Sequence, residues 1–498
     1  MWRLLILLAS ISLAKGDVIH LHFASPFTPH AVLQRGVEVQ VWGTANPGLE
    51  FEVQFGGQTI AAKADAKGNW QVALAPMEAS DVGRKLSIST GRAGRSIDDI
   101  LVGEVWYASG QSNMDMRLEA CAKKLPAIAE VMESEDVLPI RILEINEPDS
   151  PSPLNRLENV ALWKTDEEPN RGRFSGLAYL FARQLHDELK VPVGIIETAW
   201  GGKPIEGFIP RTAYAEREGL RSILELADRN ELKELAAMHG GVVVRNTAGL
   251  PGRIYNARVA PVLPYAIKGF LWYQGESNAG TGEDPRDYRW KTKALVDGWR
   301  QAWRDPNLPF YFVQLPAYPR AAPGWIRMRE EQRLALANAD TGMAVTIDLV
   351  DDDIHPANKW DVAERLVRWP LAKLYGKDRA FSGPLYQGYE RAGTSLKVSF
   401  QYAERGLMVG QKEGLGSVEE SPDTLRCFEV ANEKGEWFDA EAVIEGDSVL
   451  VSSSKVVLPA AVRYACQGAP DRPNLYNRSG LPASPFCSRL DWMPWGEE

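Results

Sequence analysis

The chain has 498 residues, 45% hydrophobic and 24% charged, with 56 Lys and Arg against 66 Asp and Glu for a net charge of -10. That length holds about three domains, the composition is that of an ordinary globular protein, and the acidic balance argues against a nucleic-acid partner, whose phosphates need a basic face. Four cysteines, Cys121, Cys427, Cys466 and Cys487, show no zinc-type spacing.

The N-terminus reads MWRLLILLASISLAKGD. One positive residue, Arg3, precedes an apolar run over 4–14 and small residues follow, the pattern of a secretory signal peptide over 1–16. The run is too short to span a bilayer, and no other stretch approaches the roughly 18 apolar residues that spanning requires. The expectation is an exported protein with no membrane span. In an oxidising compartment Cys466 and Cys487 have the proximity in sequence to pair, and Asn477 heads an NRS sequon.

Residues 17–95 read as an all-β module. VEVQVWG (37–43) and FEVQFGG (51–57) alternate with period two around a Pro-Gly turn. Residues 96–375 change character, with apolar strands ILVGEVWYAS (100–109), VGIIETA (193–199), IKGFLWYQ (267–274), FYFVQL (310–315) and MAVTIDL (343–349) alternating with helical patterns. The clearest helix is LAYLFARQLHDELK (177–190), which places Leu177, Leu180, Phe181, Leu185 and Leu189 on one side. Such alternation implies a mainly parallel sheet with helices on both faces. Residues 376–498 return to short strands and turns. The predicted order is signal peptide, N-terminal β-sandwich module, α/β domain and C-terminal β-rich module.

In an open parallel sheet, ligands bind beyond the carboxyl ends of the strands. Four distinctive loops occupy that edge: GQSNM with Ser112, WGGKPIEGF with Gly201 and Gly202, QGESNAG with Gln274, Glu276 and Asn278, and VDDDIHP with Asp352 and His355. A serine nucleophile needs a base. Of the six histidines only His355 lies at this edge with a carboxylate three residues earlier, a spacing that lets Asp352 reach the imidazole in a turn. A backbone N–H exposed by Gly201 or Gly202, the Gln274 amide and the Ser112 N–H are the candidate oxyanion donors. Glu276 is read as structural or as a tie to the Ser112 loop, and Asn278 as a supporting residue. Met114 stands where a G-x-S-x-G elbow needs glycine, so the architecture is not that of an α/β-hydrolase.

GQSNM, WGGKPIEG, WYQGESNA and DDDIHP, with the flanking AVLQRGVEVQVWGTANPG and LYNRSGLPASPF, resemble the SGNH/GDSL-like hydrolases in their sialate O-acetylesterase branch, over nearly the whole chain. The resemblance implies a flavodoxin-like α/β/α three-layer catalytic domain between β modules. It implies Ser112 as nucleophile, His355 as base and Asp352 as orienting acid, with the Ser112 and Gly202 N–H groups and Gln274, which stands where many such enzymes carry Asn, as oxyanion donors, and Gly201 in a supporting role. The implied reaction frees acetate from an O-acetylated carbohydrate through an acyl-enzyme, with no cofactor or metal. Departures are Asp115 for the usual Glu, Cys466 for Trp and Cys487 for Arg. Three alternatives stand beside this reading. One is an acetylxylan or other plant-glycan deacetylase with the same triad. Another is a metal site built from Asp351, Asp352, Asp353 and His355. The last is a non-catalytic carbohydrate-binding exported protein.

Overall fold

A computed structural model describes residues 19–167 and 169–495. The expected signal peptide lies outside them. Among the described residues no helix is long and apolar enough to cross a membrane.

The centre of the molecule is a parallel sheet, whose strands we number β1 (Gly94–Gly110), β2 (Ile140–Glu144), β3 (Val193–Glu197), β4 (Gly269–Tyr273), β5 (Phe310–Val313) and β6 (Thr341–Ala344). Their spatial order is β2-β3-β1-β4-β5-β6, closed at the β2 edge by the antiparallel strand Trp163–Thr165. The strands are buried on both faces, which explains their continuous apolar runs. Four helices matter here: α1 (Gly176–Leu189), α2 (Tyr288–Trp303), α3 (Pro323–Leu334) and α4 (Lys359–Lys373). Neighbouring residues of β1 point to opposite faces and show how the helices divide. Trp106 meets Phe181 of α1 edge-on at 5.2 Å, whereas Tyr107 meets Trp299 of α2 at 5.3 Å. Trp369 of α4 stacks on Tyr311 of β5, whose ring neighbours Trp106, so α4 shares the α1 face. The sheet thus has helices on both sides.

The N-terminal strands form two facing layers. Leu21–Phe23, Val39–Ala45 and Asn69–Leu74 make one. Glu50–Phe55, Gln58–Lys63 and Ser80–Ser89 make the other, and Phe51 packs against Trp70 between them at 5.2 Å. The boundary expected at 95/96 falls inside β1, which is 17 residues long. Its first half pairs with the N-terminal strands, up to Val32–Gln34 against 101–103. Its second half pairs with β3 over 104–108 and with β4 over 106–110. One strand therefore belongs to both units, and no linker separates them.

Residues beyond 384 form three small antiparallel sheets. They lean on the central layer through Lys412–Asp361 at 2.8 Å, Tyr476 Oη donating to Asp348 at 2.9 Å, and Gln314 Nε2 donating to Ser484 at 2.9 Å. Cys466 and Cys487 are free thiols buried in one cluster with Met493, not a disulfide. Asn477 is buried and donates to the Ser382 and Tyr402 carbonyls, so the sequon is not displayed to a glycosylating enzyme.

Candidate active site

Ser112 follows the central strand. β1 ends at Gly110, whose φ of +139° takes the chain out of the sheet, and a Cβ there would lie 2.1 Å from the Tyr273 carbonyl oxygen. Only glycine fits so close an approach. Gln111 N–H donates to that same carbonyl at 2.9 Å, and a single helical turn, Ser112–Asp115, begins at the serine. Ser112 is half-buried.

His355 arrives from the loop after β6. Its Nε2 stands 2.8 Å from Ser112 Oγ, the geometry in which the hydroxyl donates to a neutral imidazole. The carboxylate on the far side of the ring is Asp353, at 3.5 Å from Nδ1, and not Asp352. Asp352 is exposed, and its backbone carbonyl accepts from Arg320 at 2.8 Å. Asp353 is held by local geometry: its Oδ1 accepts the His355 N–H at 3.1 Å and its Oδ2 accepts Lys124 Nζ at 3.1 Å. Those donors hold its carboxyl below the usual carboxylate range. Burial lowers the His355 pKa below 6.5 against the opposing pull of Asp353, so the ring is neutral at pH 7.

Gly201 and Gly202 lie against the serine. A Cβ on Gly201 would sit 3.5 Å from the Ser112 Cβ, and Gly202 adopts a φ of +68° with open space in front of it. Among the described residues, the backbone N–H groups of Ser112 and Gly202 have no hydrogen-bond acceptor.

Gln274 does not act as the third donor in this arrangement. Its side chain is fully buried, and Nε2 already faces Asn278 Oδ1 (2.8 Å), Gln111 Oε1 (3.1 Å) and the Lys203 carbonyl (3.2 Å). Two amide hydrogens facing three protein acceptors leave none for a substrate oxygen. Gln274 is a brace between the Ser112, Gly201 and β4 loops, and its Oε1 accepts from Tyr288 Oη at 2.5 Å. Asn278 completes the brace, accepting from the Ile205 N–H at 3.0 Å and donating to Glu206 at 2.9 Å. Glu276 accepts from Asn113 Nδ2 at 2.6 Å, which ties the β4 loop to the Ser112 loop.

Lys359, the first residue of α4, carries no signal in the sequence, where a lysine beside a helix cap reads as solvated. It is fully buried. Nζ donates to Asn113 Oδ1 at 2.6 Å and to the Pro356 carbonyl at 2.8 Å, and Asn113 donates to the Ile354 carbonyl at 3.0 Å. Lys359 and Asn113 therefore pin the turn that carries His355 onto the turn that carries Ser112. Burial pulls the Lys359 pKa down to about 8.

The other rim of the site is polar. Arg258 lies over Trp200 at 4.1 Å and donates to the Ala199 and Glu147 carbonyls at 2.8 Å. Arg117 joins Glu144 at 2.5 Å and Asp115 at 3.5 Å. Glu197, the last residue of β3, is pushed up to about 8 by burial. Among the described residues no cluster of His, Cys, Asp or Glu has the arrangement of a metal site.

Residues 102–364 match the family described as carbohydrate esterase, sialic acid-specific acetylesterase. The chain is similar to the sialate O-acetylesterase of Rattus norvegicus, 28% identical over 98% of this chain and 98% of the relative. It is similar to that of Homo sapiens at 27%, over 94% and 93%. Among solved structures it is similar to a carbohydrate acetylesterase from Xanthomonas citri, 31% identical, covering 95% of this chain and 100% of that chain, with a TM-score of 0.80. With this match covering more than half its length, the chain belongs to the sialic acid-specific acetylesterase family of carbohydrate esterases, and it is a carboxylic ester hydrolase.

Proposed function

We propose that the protein removes acetyl groups from hydroxyls of O-acetylated sugars, sialic acids first among them, by acyl transfer through Ser112. The observation that carries this reading is the 2.8 Å contact between Ser112 Oγ and His355 Nε2. His355 takes the hydroxyl proton as Oγ attacks the acetyl carbonyl. The N–H groups of Ser112 and Gly202 receive the developing oxyanion. His355 returns the proton to the departing sugar oxygen, then activates the water that releases acetate. Asp353, and not Asp352, stabilises the imidazolium and holds the ring. This arrangement corresponds to the SGNH-type three-layer catalytic unit with flanking β modules. The leader-like segment at 1–16 supports export of the enzyme.

Sialate as substrate is supported by the family and by the names of the relatives. Acetate release is to be measured over O-acetyl sialic acids, acetylated xylan and acetylated pectin. The sialates should turn over fastest, and Ser112→Ala should abolish release from all of them while the protein stays folded. Wild-type rates in Ser112→Ala would overturn the mechanism. Preference for xylan would overturn the substrate and leave the mechanism standing.

A further inference from the structure

A cavity of about 1050 Å³ opens where the C-terminal strands meet α2 and α3. It is slightly larger than the roughly 300–1,000 Å³ usual for ligand clefts, and it shares no lining residue with the Ser112 site. Three half-buried tryptophans, Trp437, Trp492 and Trp495, line it with five basic side chains and one acidic one. In a chain of net charge -10 cations outnumber acids on this lining, and its four arginines are each ion-paired from behind, Arg286 with Asp284, Arg289 and Arg327 with Glu331, and Arg463 with Glu429.

The cations are built in. Arg286 lies over Trp495 at 3.6 Å and Arg463 over Trp437 at 4.3 Å. Glu429 holds Arg463 at 2.6 Å, and the fully buried Glu331 holds Arg327 at 2.8 Å. These carboxylates fix the guanidinium groups from the protein side. Lys434 is exposed and has no ion pair among the described residues. Aromatic faces suit the C–H faces of a pyranose ring, and fixed cations suit a carboxylate. The cavity also borders the loop after β4. Gly324 of α3 packs so closely that a Cβ would lie 3.1 Å from the Ala279 carbonyl, in the loop that carries Glu276 and Asn278, and 3.4 Å from that of Trp495.

We infer that this cavity is an accessory subsite for a carboxylate-bearing sugar, holding an acidic residue of the glycan whose acetyl groups the Ser112 site removes. The inference rests on the esterase reading for its purpose but not for its test.

Full-length protein is titrated by calorimetry with a disialic acid, with trigalacturonate and with neutral maltotriose. Turnover of p-nitrophenyl acetate, which has no sugar, is followed in parallel. Wild type should bind the acidic probes in preference to maltotriose, with affinity falling as salt rises. Lys434→Glu and Trp492→Ala should each weaken that binding by about tenfold, the equivalent of 1.4 kcal/mol, while p-nitrophenyl acetate turnover stays at the wild-type rate. Lys434 is exposed, so its variant keeps the test open if Trp492→Ala fails to fold. Equal binding of maltotriose, no binding of either acidic probe, or unchanged affinity in Lys434→Glu would overturn the subsite. Absence of p-nitrophenyl acetate turnover in wild type would overturn the esterase reading and leave the binding result standing.

Discussion

His355 is half-buried, and withdrawing water from an imidazole disfavours its cation, so its pKa lies below 6.5 despite the Asp353 carboxylate. In the proposed mechanism His355 acts when neutral. Therefore kcat/KM should hold as pH falls through 7 and drop only below about 6.5, the ordinary imidazole value. The Lys359 ammonium also opposes the imidazolium. Lys359→Met should move the acid limb to higher pH and lower kcat by about 100-fold, the cost of a catalytic pair set an ångström out of place; stopped assays across pH 5–9 read both effects. The neighbouring aspartates separate in the same assay. Asp353→Asn should lower kcat by at least about tenfold, while Asp352→Ala should stay within twofold of wild type, these being rough magnitudes for an orienting carboxylate that is partly solvated. An Asp352→Ala defect as large as that of Asp353→Asn would contradict the placement of the two side chains.

At the level of the element, the site depends on how strands end. The turn after β1 works because Gly110 has no Cβ, which would lie only 2.1 Å from the Tyr273 carbonyl oxygen. Gly110→Ala should force β1 and β4 apart, abolish acetate release and lower Tm, whereas Gly202→Ala, with open space around it, should spare folding more than activity. Calorimetry beside turnover separates the two. Much of this edge was legible in the sequence, since apolar runs mark buried strands and the loops after them carry Ser112, Gly202 and His355. Besides Lys359, three features were not. β2 reads IRILE, five residues with charges at two positions, too short and mixed to announce a buried strand. In a run of three aspartates, spacing cannot say which carboxylate faces the ring, because that depends on how the turn is held by the His355 N–H and Lys124. Gln274 has the right chemistry for an oxyanion donor, but its hydrogens are already committed to contacts that only the folded chain creates.

The whole molecule bears on the site through the C-terminal strands. Lys412 and Asp361 form a nearly buried ion pair at the start of α4, and Tyr476 donates to Asp348, which Arg365 grips through two contacts at 2.6 and 2.8 Å. Asp348 and Asp361 bracket the loop that carries His355. Lys412→Ala leaves the Asp361 carboxylate without its partner and should cost about 3 kcal/mol, measured by urea unfolding. Esterase activity should fall at denaturant concentrations where the rest of the protein still holds.

β1 has the widest consequence. Its amino-terminal half is completed by one sheet and its carboxyl-terminal half by another, and Ser112 sits two residues past its end. A gene fragment cut at residue 96 would express a catalytic unit with a raw strand edge, the kind of surface that recruits other chains into aggregates. The acetylesterase is therefore not a cassette to be spliced onto new partners. Recombination, truncation and fusion must carry the first hundred residues with the serine, or lose both.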